Sequence, residues 1–183
     1  MEKTLEQRMY FFVPYNISPI QQAIQAGHAA LEYAYKNSNG ALFIHFMDKW
    51  KIWVILDGGT TNSRREIGTS ISLGSLNQIA DSLKENDIDF SYFVEPDLND
   101  ALTAVCFIVD ERVWNYKDYP DFLNWIFENH LYDEPAQRKI ELKMMGMLEL
   151  TWMFPEYHKE WVGFLGGKKN VFLRELIRGK KLA

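Results

Sequence analysis

The sequence predicts an α/β protein: a layered α/β/α domain with a four-stranded mixed sheet, plus a C-terminal α-helical extension. Three observations carry this. Strand-like apolar runs alternate with helix-period runs up to residue 110. Two of the runs, "KIWVILDGG" (51–59) and "LTAVCFIVD" (102–110), are apolar nearly throughout, as expected of strands covered on both faces. After Asp110 no convincing strand remains, and Trp, Phe, Met and Leu recur at helical spacing. The chain therefore divides into 1–112 for the α/β domain and 113–183 for the helices, which are expected to pack on it.

The elements follow in order. "RMYFFVPY" (8–15) reads as the first buried strand, ended by Pro14. Ser18 is an N-cap candidate, and Pro19 takes the first helical position, where a missing N–H costs nothing. That helix runs to about Asn37, where "NSNG" stops it. "ALFIHFMDKW" (41–50) is a short second helix and 51–59 the second strand. The polar "TTNSRREIGTS" (60–70) is a loop. Leu73, Leu76, Ile79, Ala80 and Leu83 then mark a helix opening at Ser72 or Ser75. "DFSYFVEP" (89–96) and 102–110 are the third and fourth strands. Beyond them "YPDFLNWIFENHL", "EPAQRKIELKMMGMLELTWMF", "HKEWVGFL" and "KNVFLRELIRG" read as four helices, with Ile140, Met144, Met147 and Thr151 on one face of the second.

Composition narrows the class. A quarter of the residues are charged, as in ordinary soluble proteins, and no apolar run approaches the roughly 18 residues that span a bilayer. "MEKTLEQRM" has no secretion-signal pattern, so a cytoplasmic location is expected. The lone Cys106 lies in an apolar run and reads as a small buried hydrophobe. Net charge is −5, unevenly spread. Lys168, Lys169, Arg174, Arg178, Lys180 and Lys181 face only Glu175 in the tail, leaving 14 basic and 24 acidic residues elsewhere. An acidic body argues against a broad nucleic-acid surface, whereas the short basic tail leaves contact with tRNA or another RNA open, as well as simple solvation.

The helix at 19–37 holds the richest pattern. At 100° per residue Gln21, Gln25, His28 and Glu32 share one narrow stripe. Ile20, Ile24, Gly27, Leu31 and Ala34 form a second stripe, and Ala23, Ala26 and Ala30 allow a close backbone approach. The pattern predicts a helix buried on two sides with a polar seam lining a cleft. An imidazole there titrates near neutrality and suits proton transfer. Glu95 ends a strand, where α/β sheets place site residues, although a turn acid capping the backbone near Pro96 reads the same. Asp97 and Asn99 are also good turn residues. Thr60 and Thr61 in "DGGTT" offer hydroxyls and N–H groups to a phosphate, with Arg64 and Arg65 nearby, but without a phosphate-loop spacing. His45, His130 and His158 lack metal-ligand spacing, so no metal and no cofactor is assigned.

These residues also carry a resemblance. A strand, then "SPIQQAIQAGHAALEY", the strand "KIWVIL", a helix, a strand ending "VEPDLND" and the strand "LTAVCFIV" resemble the type II peptidyl-tRNA hydrolases, over about residues 8 to 112. Gln25, Gly27, His28, Ala29 and Ala30 match the family's first helix. The resemblance implies hydrolysis of the ester between peptide and tRNA, with His28 and Glu95 activating water and Thr103 holding the substrate. Gln21, Gln25, Glu32, Thr60, Thr61, Asp97 and Asn99 would contact it. The departures are specific. Gln21 stands where the family has a lysine, and "VEPDLN" replaces Arg-Asp-Ala-Gly-Arg-Thr. The alternative keeps the fold without the reaction: an inactive binding module for a protein, RNA or nucleotide-like ligand. "EPDLNDALTA" and the helical extension resemble relatives carried by large tailed phages, which would suit a host-interaction protein.

Overall fold

The computed structural model describes residues 4–62 and 73–183. A single four-stranded sheet is built from β1 (Gln7–Pro14), β2 (Ile52–Gly59), β3 (Phe90–Glu95) and β4 (Ala101–Asp110), in the order β2-β1-β4-β3. β1 and β2 run parallel, joined through α1 (Pro19–Asn37) and α2 (Ala41–Lys49). β4 is antiparallel to both β1 and β3, so the sheet is mixed, as the sequence predicts. α3 (Ser75–Glu85) links β2 to β3, and a 3-10 turn at Pro96–Leu98 precedes β4.

The layering follows from period-2 alternation in the central strands. Met9, Phe11 and Val13 of β1, with Ala104, Cys106 and Ile108 of β4, pack on Ala26, Ala29 and Tyr33 of α1 and Phe46 of α2. On the opposite face, α3 contributes buried Leu76, Ile79 and Leu83 beside Phe12 and Phe107. Gly58 is required there, because a Cβ would meet the Leu76 methyl and the Val13 carbonyl. Ser18 caps α1: its hydroxyl accepts from Gln21 N while the Gln21 side chain accepts from Ser18 N.

The chain forms two compact units. The first is Met1–Asp110 with Ile177–Ala183, and the second is Glu111–Leu176. The last residues therefore group with the sheet rather than with the helices that precede them. Leu182 bridges Leu56 of β2 antiparallel, Asp57 N donates to Lys181 O, and Ala183 N donates to Ile55 O.

The second unit comprises α4 (Glu111–Trp114), α5 (Phe122–Asn129), α6 (Ala136–Met144), α7 (Met147–Met153), α8 (Pro155–Phe164) and, up to Leu176, α9 (Lys168–Ile177). It has its own core of Phe122, Trp125, Ile126, Leu142, Leu150, Trp161 and Leu165. The helix expected over 134–154 is two helices. Met145 is extended, Gly146 caps α7, and Glu149 accepts from Gly146 N. Glycine's poor helix propensity placed the break there. The break also turns the face: Leu142 and Leu150 are buried, while Ile140, Met144 and Met147 are exposed. Trp161 is buried with its indole N–H donating to Pro120 O at 3.0 Å.

Arg174 organises this unit. It is fully buried and donates to Asp121 Oδ1 at 3.2 Å, to Arg112 O at 3.0 Å and to Tyr119 O at 2.6 Å. Its guanidinium lies 3.8 Å from the Tyr116 ring centre. Removing it strands buried acceptors, so Arg174→Ala should cost the helical unit about 3 kcal/mol. Lys168→Ala at the exposed start of α9 should cost less than about 0.5 kcal/mol, both read from urea midpoints.

Candidate functional site

Three of the residues singled out in the sequence meet where α1 packs on β3 and β4. Gln25 is buried on the sheet-facing side of α1. Its Nε2 donates to Glu95 Oε2 at 2.7 Å, and its Oε1 accepts from the Thr103 hydroxyl at 2.7 Å. The two contacts fix the amide. A flipped Gln25 would set its oxygen against the carboxylate, which can only accept when ionised. Thr103 is fully buried and sits at the register irregularity in β4, where Phe93 pairs with Ala104 and Val94 with Leu102. The irregularity turns its hydroxyl to α1, with the Phe93 carbonyl also 3.4 Å away.

His28 lies one turn beyond Gln25. It is half-buried, with its ring stacked on Phe93 at 4.4 Å between centres and 21° between planes. Among the described residues the imidazole makes no hydrogen bond, which leaves both ring nitrogens for a ligand. Glu95 is half-buried at the C-terminal end of β3, and its other oxygen accepts from Asp97 N at 3.4 Å. The sequence stripe did not reveal Phe93. Its signal was the aromatic placed two residues before Glu95 in "FSYFVE", on the same face of an extended strand.

The remaining candidates separate from this cluster. Gln21 is exposed and occupied by the Ser18 capping box. Glu32 is exposed and lines a cavity with Tyr35, Lys36 and residues of β3. Thr60 Oγ1 accepts from Ser75 N, and Thr61 Oγ1 donates to Leu102 O at 2.5 Å, so both hydroxyls tie the β2–α3 connection together. Arg64 and Arg65 lie outside the described residues. Asp97 lies within the exposed turn, and Asn99 adopts the left-handed conformation with φ 56°, as its turn chemistry allows. Thr103 was expected to hold a substrate; buried as it is, it orients Gln25 instead.

The two-sided burial expected of α1 is not observed. The stripe of Ile20, Ile24 and Leu31 is 74 %, 50 % and 69 % exposed, and the buried face is Gln22, Gln25, Ala26, Ala29 and Tyr33. Gln22 takes a position where an apolar residue would be usual and donates to Pro14 O at 3.1 Å. The polar seam therefore lies over the sheet, with Gln25 at its buried side and Glu32 at its exposed side. The basic tail is also divided. Arg174 is internal, while Lys180 lies 5.8 Å from the Phe12 ring centre beside β2.

The other histidines and the cysteine have structural surroundings. His45 Nδ1 pairs with Gln7 Oε1 at 3.0 Å, and His130 stacks on Tyr157 beside Glu160. Burial lowers the His158 pKa. Among the described residues no helix is long and apolar enough to cross a membrane. The chain is matched by no family model and by no curated protein.

Cys106 is fully buried, its thiol donates to Ala29 O at 3.2 Å, and burial pushes its pKa up to about 12. Burial, followed by the Asp89 carboxylate, also raises the Tyr33 phenol. The native state keeps protons that the unfolded chain releases, so stability should hold below about pH 9 and decline as pH rises toward about 12. A thiol reagent at pH 8 should label Cys106 only after denaturant is added. Rapid labelling of the native protein would contradict this.

Proposed function

We propose that the chain is a peptidyl-tRNA hydrolase-like protein that cleaves the ester joining peptide to tRNA. The observation that supports it is the hydrogen-bonded line from Thr103 through Gln25 to Glu95, with the unbonded ring of His28 one helical turn along. Gln25 and His28 are among the residues that carry the family resemblance, and the element order is the one it implies. In this reading Thr103 and Gln25 position the Glu95 carboxylate, which accepts a proton from the attacking water. His28 polarises the ester or returns a proton to the leaving ribose oxygen. An ester has a competent leaving group, so positioning and modest acid–base assistance are sufficient chemistry.

A second reading has its own observation. The Gln21 amide stands in the position of the family's lysine and is committed to a helix cap. The stretch 85–100 carries six acids and no lysine or arginine. Neither feature favours a polyanion, so tRNA would have to meet Lys168, Lys169, Arg178, Lys180 or Lys181. Without that help the fold serves as a binding module for a protein, RNA or nucleotide-like ligand. A cytoplasmic site of action and a phage host-interaction role belong to the same proposal.

Turnover of an N-acetyl-aminoacyl-tRNA separates the two. Under the hydrolase reading the protein releases tRNA, His28→Ala lowers the rate by about 10²-fold or more with an unchanged circular dichroism spectrum, and Glu95→Gln does likewise. Thr103→Val acts through Gln25 and should cost about tenfold. Absence of release, with saturable retention of the same tRNA that His28→Ala weakens, would replace the hydrolase reading by the binding one.

A further inference from the structure

The two edges of the sheet are treated differently. The outer edge of β2 is met by the chain's own tail, through the Leu56–Leu182 bridge and the bonds of Asp57 and Ala183. The opposite edge is β3, which among the described residues pairs with β4 alone. At the start of this strand Phe90 O accepts from the Lys36 ammonium at 3.1 Å. An unpaired strand edge is a template for another extended segment.

A cavity lies on each face of this edge. One of about 490 Å³ runs between α1 and β3 and is lined by Glu32, Tyr35, Lys36 and Phe93. The other, of about 300 Å³, runs between α3 and β3 and is lined by Ala80, Lys84, Tyr92, Val94 and Leu102. The first is bordered by Glu32 and Lys36, and the second, which Asp81 and Lys84 also line, is the more apolar of the two. A strand laid beside β3 sends alternate side chains to opposite faces, so polar residues would enter the first cavity and apolar ones the second. This is the geometry of recognition by strand addition, in which main-chain bonds give affinity and alternating pockets give specificity.

Charge selects the occupant. Glu85, Asp87 and Asp89 precede β3, while Glu95, Asp97 and Asp100 end or follow it; Lys36, which pairs with Asp89 at 2.6 Å, and Lys84 line the two cavities, so these six acids outnumber the two cations beside the edge. A second copy pairing antiparallel about Tyr92 would set Asp89 against Glu95 at both ends. Pairing about Phe93 would set Asp89 against Asp97, and a parallel register would set each acid against itself. Like charges directly opposite one another are destabilising, so these acids oppose self-pairing. They favour a strand carrying basic residues.

We propose that the edge of β3 is a docking site for an extended basic peptide that alternates apolar and cationic residues and adds a fifth strand to the sheet. It goes beyond the hydrolase reading and does not depend on it, since the probe below contains no ester. The probe is a capped octapeptide of alternating lysine and valine, titrated into the isotope-labelled full chain. Two isomers serve as controls, one N-methylated at the lysine amides and the other at the valine amides. Both keep the charge and the side chains, and each blocks only one edge of the added strand. Saturable binding should shift the amide resonances of Phe90 to Val94. One isomer should bind at least about tenfold more weakly while the other binds like the parent, because an added strand uses only alternate amides. Asp97→Asn with Asp100→Asn, both exposed residues of the turn after β3, should weaken binding several-fold and leave the melting temperature unchanged. Equal binding of both isomers, resonance shifts elsewhere or no saturable binding would overturn the proposal. Affinity indifferent to the Asn substitutions would overturn the assignment of a basic peptide.

Discussion

Both faces of β1 and β4 must be kept from water, and the first unit is arranged around that requirement. Nine consecutive residues of β4, Ala101 to Val109, are buried, as is nearly all of β1. Strands buried on both sides need a layer above and a layer below, and helices are what the connections supply. The parallel β1–β2 pair forces a crossover, which α1 and α2 provide on one face. The β2–β3 connection puts α3 on the other. The contact between α1 and the sheet is close because the residues facing it are small, Ala26 and Ala29, with Tyr33 filling the space near Asp89.

Polar groups inside this contact are where structure and chemistry meet. A buried amide or hydroxyl is costly unless it is bonded, and the two buried glutamines of α1 are both bonded. Gln22 reaches the Pro14 carbonyl, while Gln25 is shared between Thr103 and Glu95. The same bonds that satisfy Gln25 immobilise the Glu95 carboxylate at the mouth of the contact. His28 is held differently, by ring stacking that fixes its plane, and among the described residues nothing bonds its nitrogens. The cluster combines an oriented carboxylate with an accessible imidazole, on a helix and a strand rather than on loops.

Much of the fold was legible in the sequence because local and tertiary signals agreed. Ser18, Pro19 and "NSNG" bound α1 at both ends, and the apolar runs located β2 and β4. Errors arose where periodicity had two solutions. On α1 both the Ile/Leu stripe and the Gln/Ala stripe have helical spacing. The strand residues it packs against, invisible in one dimension, chose the small-residue face. The continuous pattern across 134–154 hid the break at Gly146 because apolar residues keep their spacing through one extended residue. Gln25, Glu95 and Thr103 were recognisable as polar residues in apolar or strand-end settings. Their linkage was not recognisable, since it depends on a register irregularity between β3 and β4.

The pairing of the tail with β2 has a consequence for how the chain comes together. The sheet unit is discontinuous in sequence: Glu111–Leu176 intervenes between β4 and the segment that covers the β2 edge. During synthesis the four strands and their helices emerge first and can assemble with the β2 flank of the sheet still bare. Only after the whole helical insertion has left the ribosome does the covering segment become available. Contacts this distant in sequence carry a large loop-closure entropy and form late. The interval between the two events is when this protein is most open to association through β2, and the length of the insertion sets that interval.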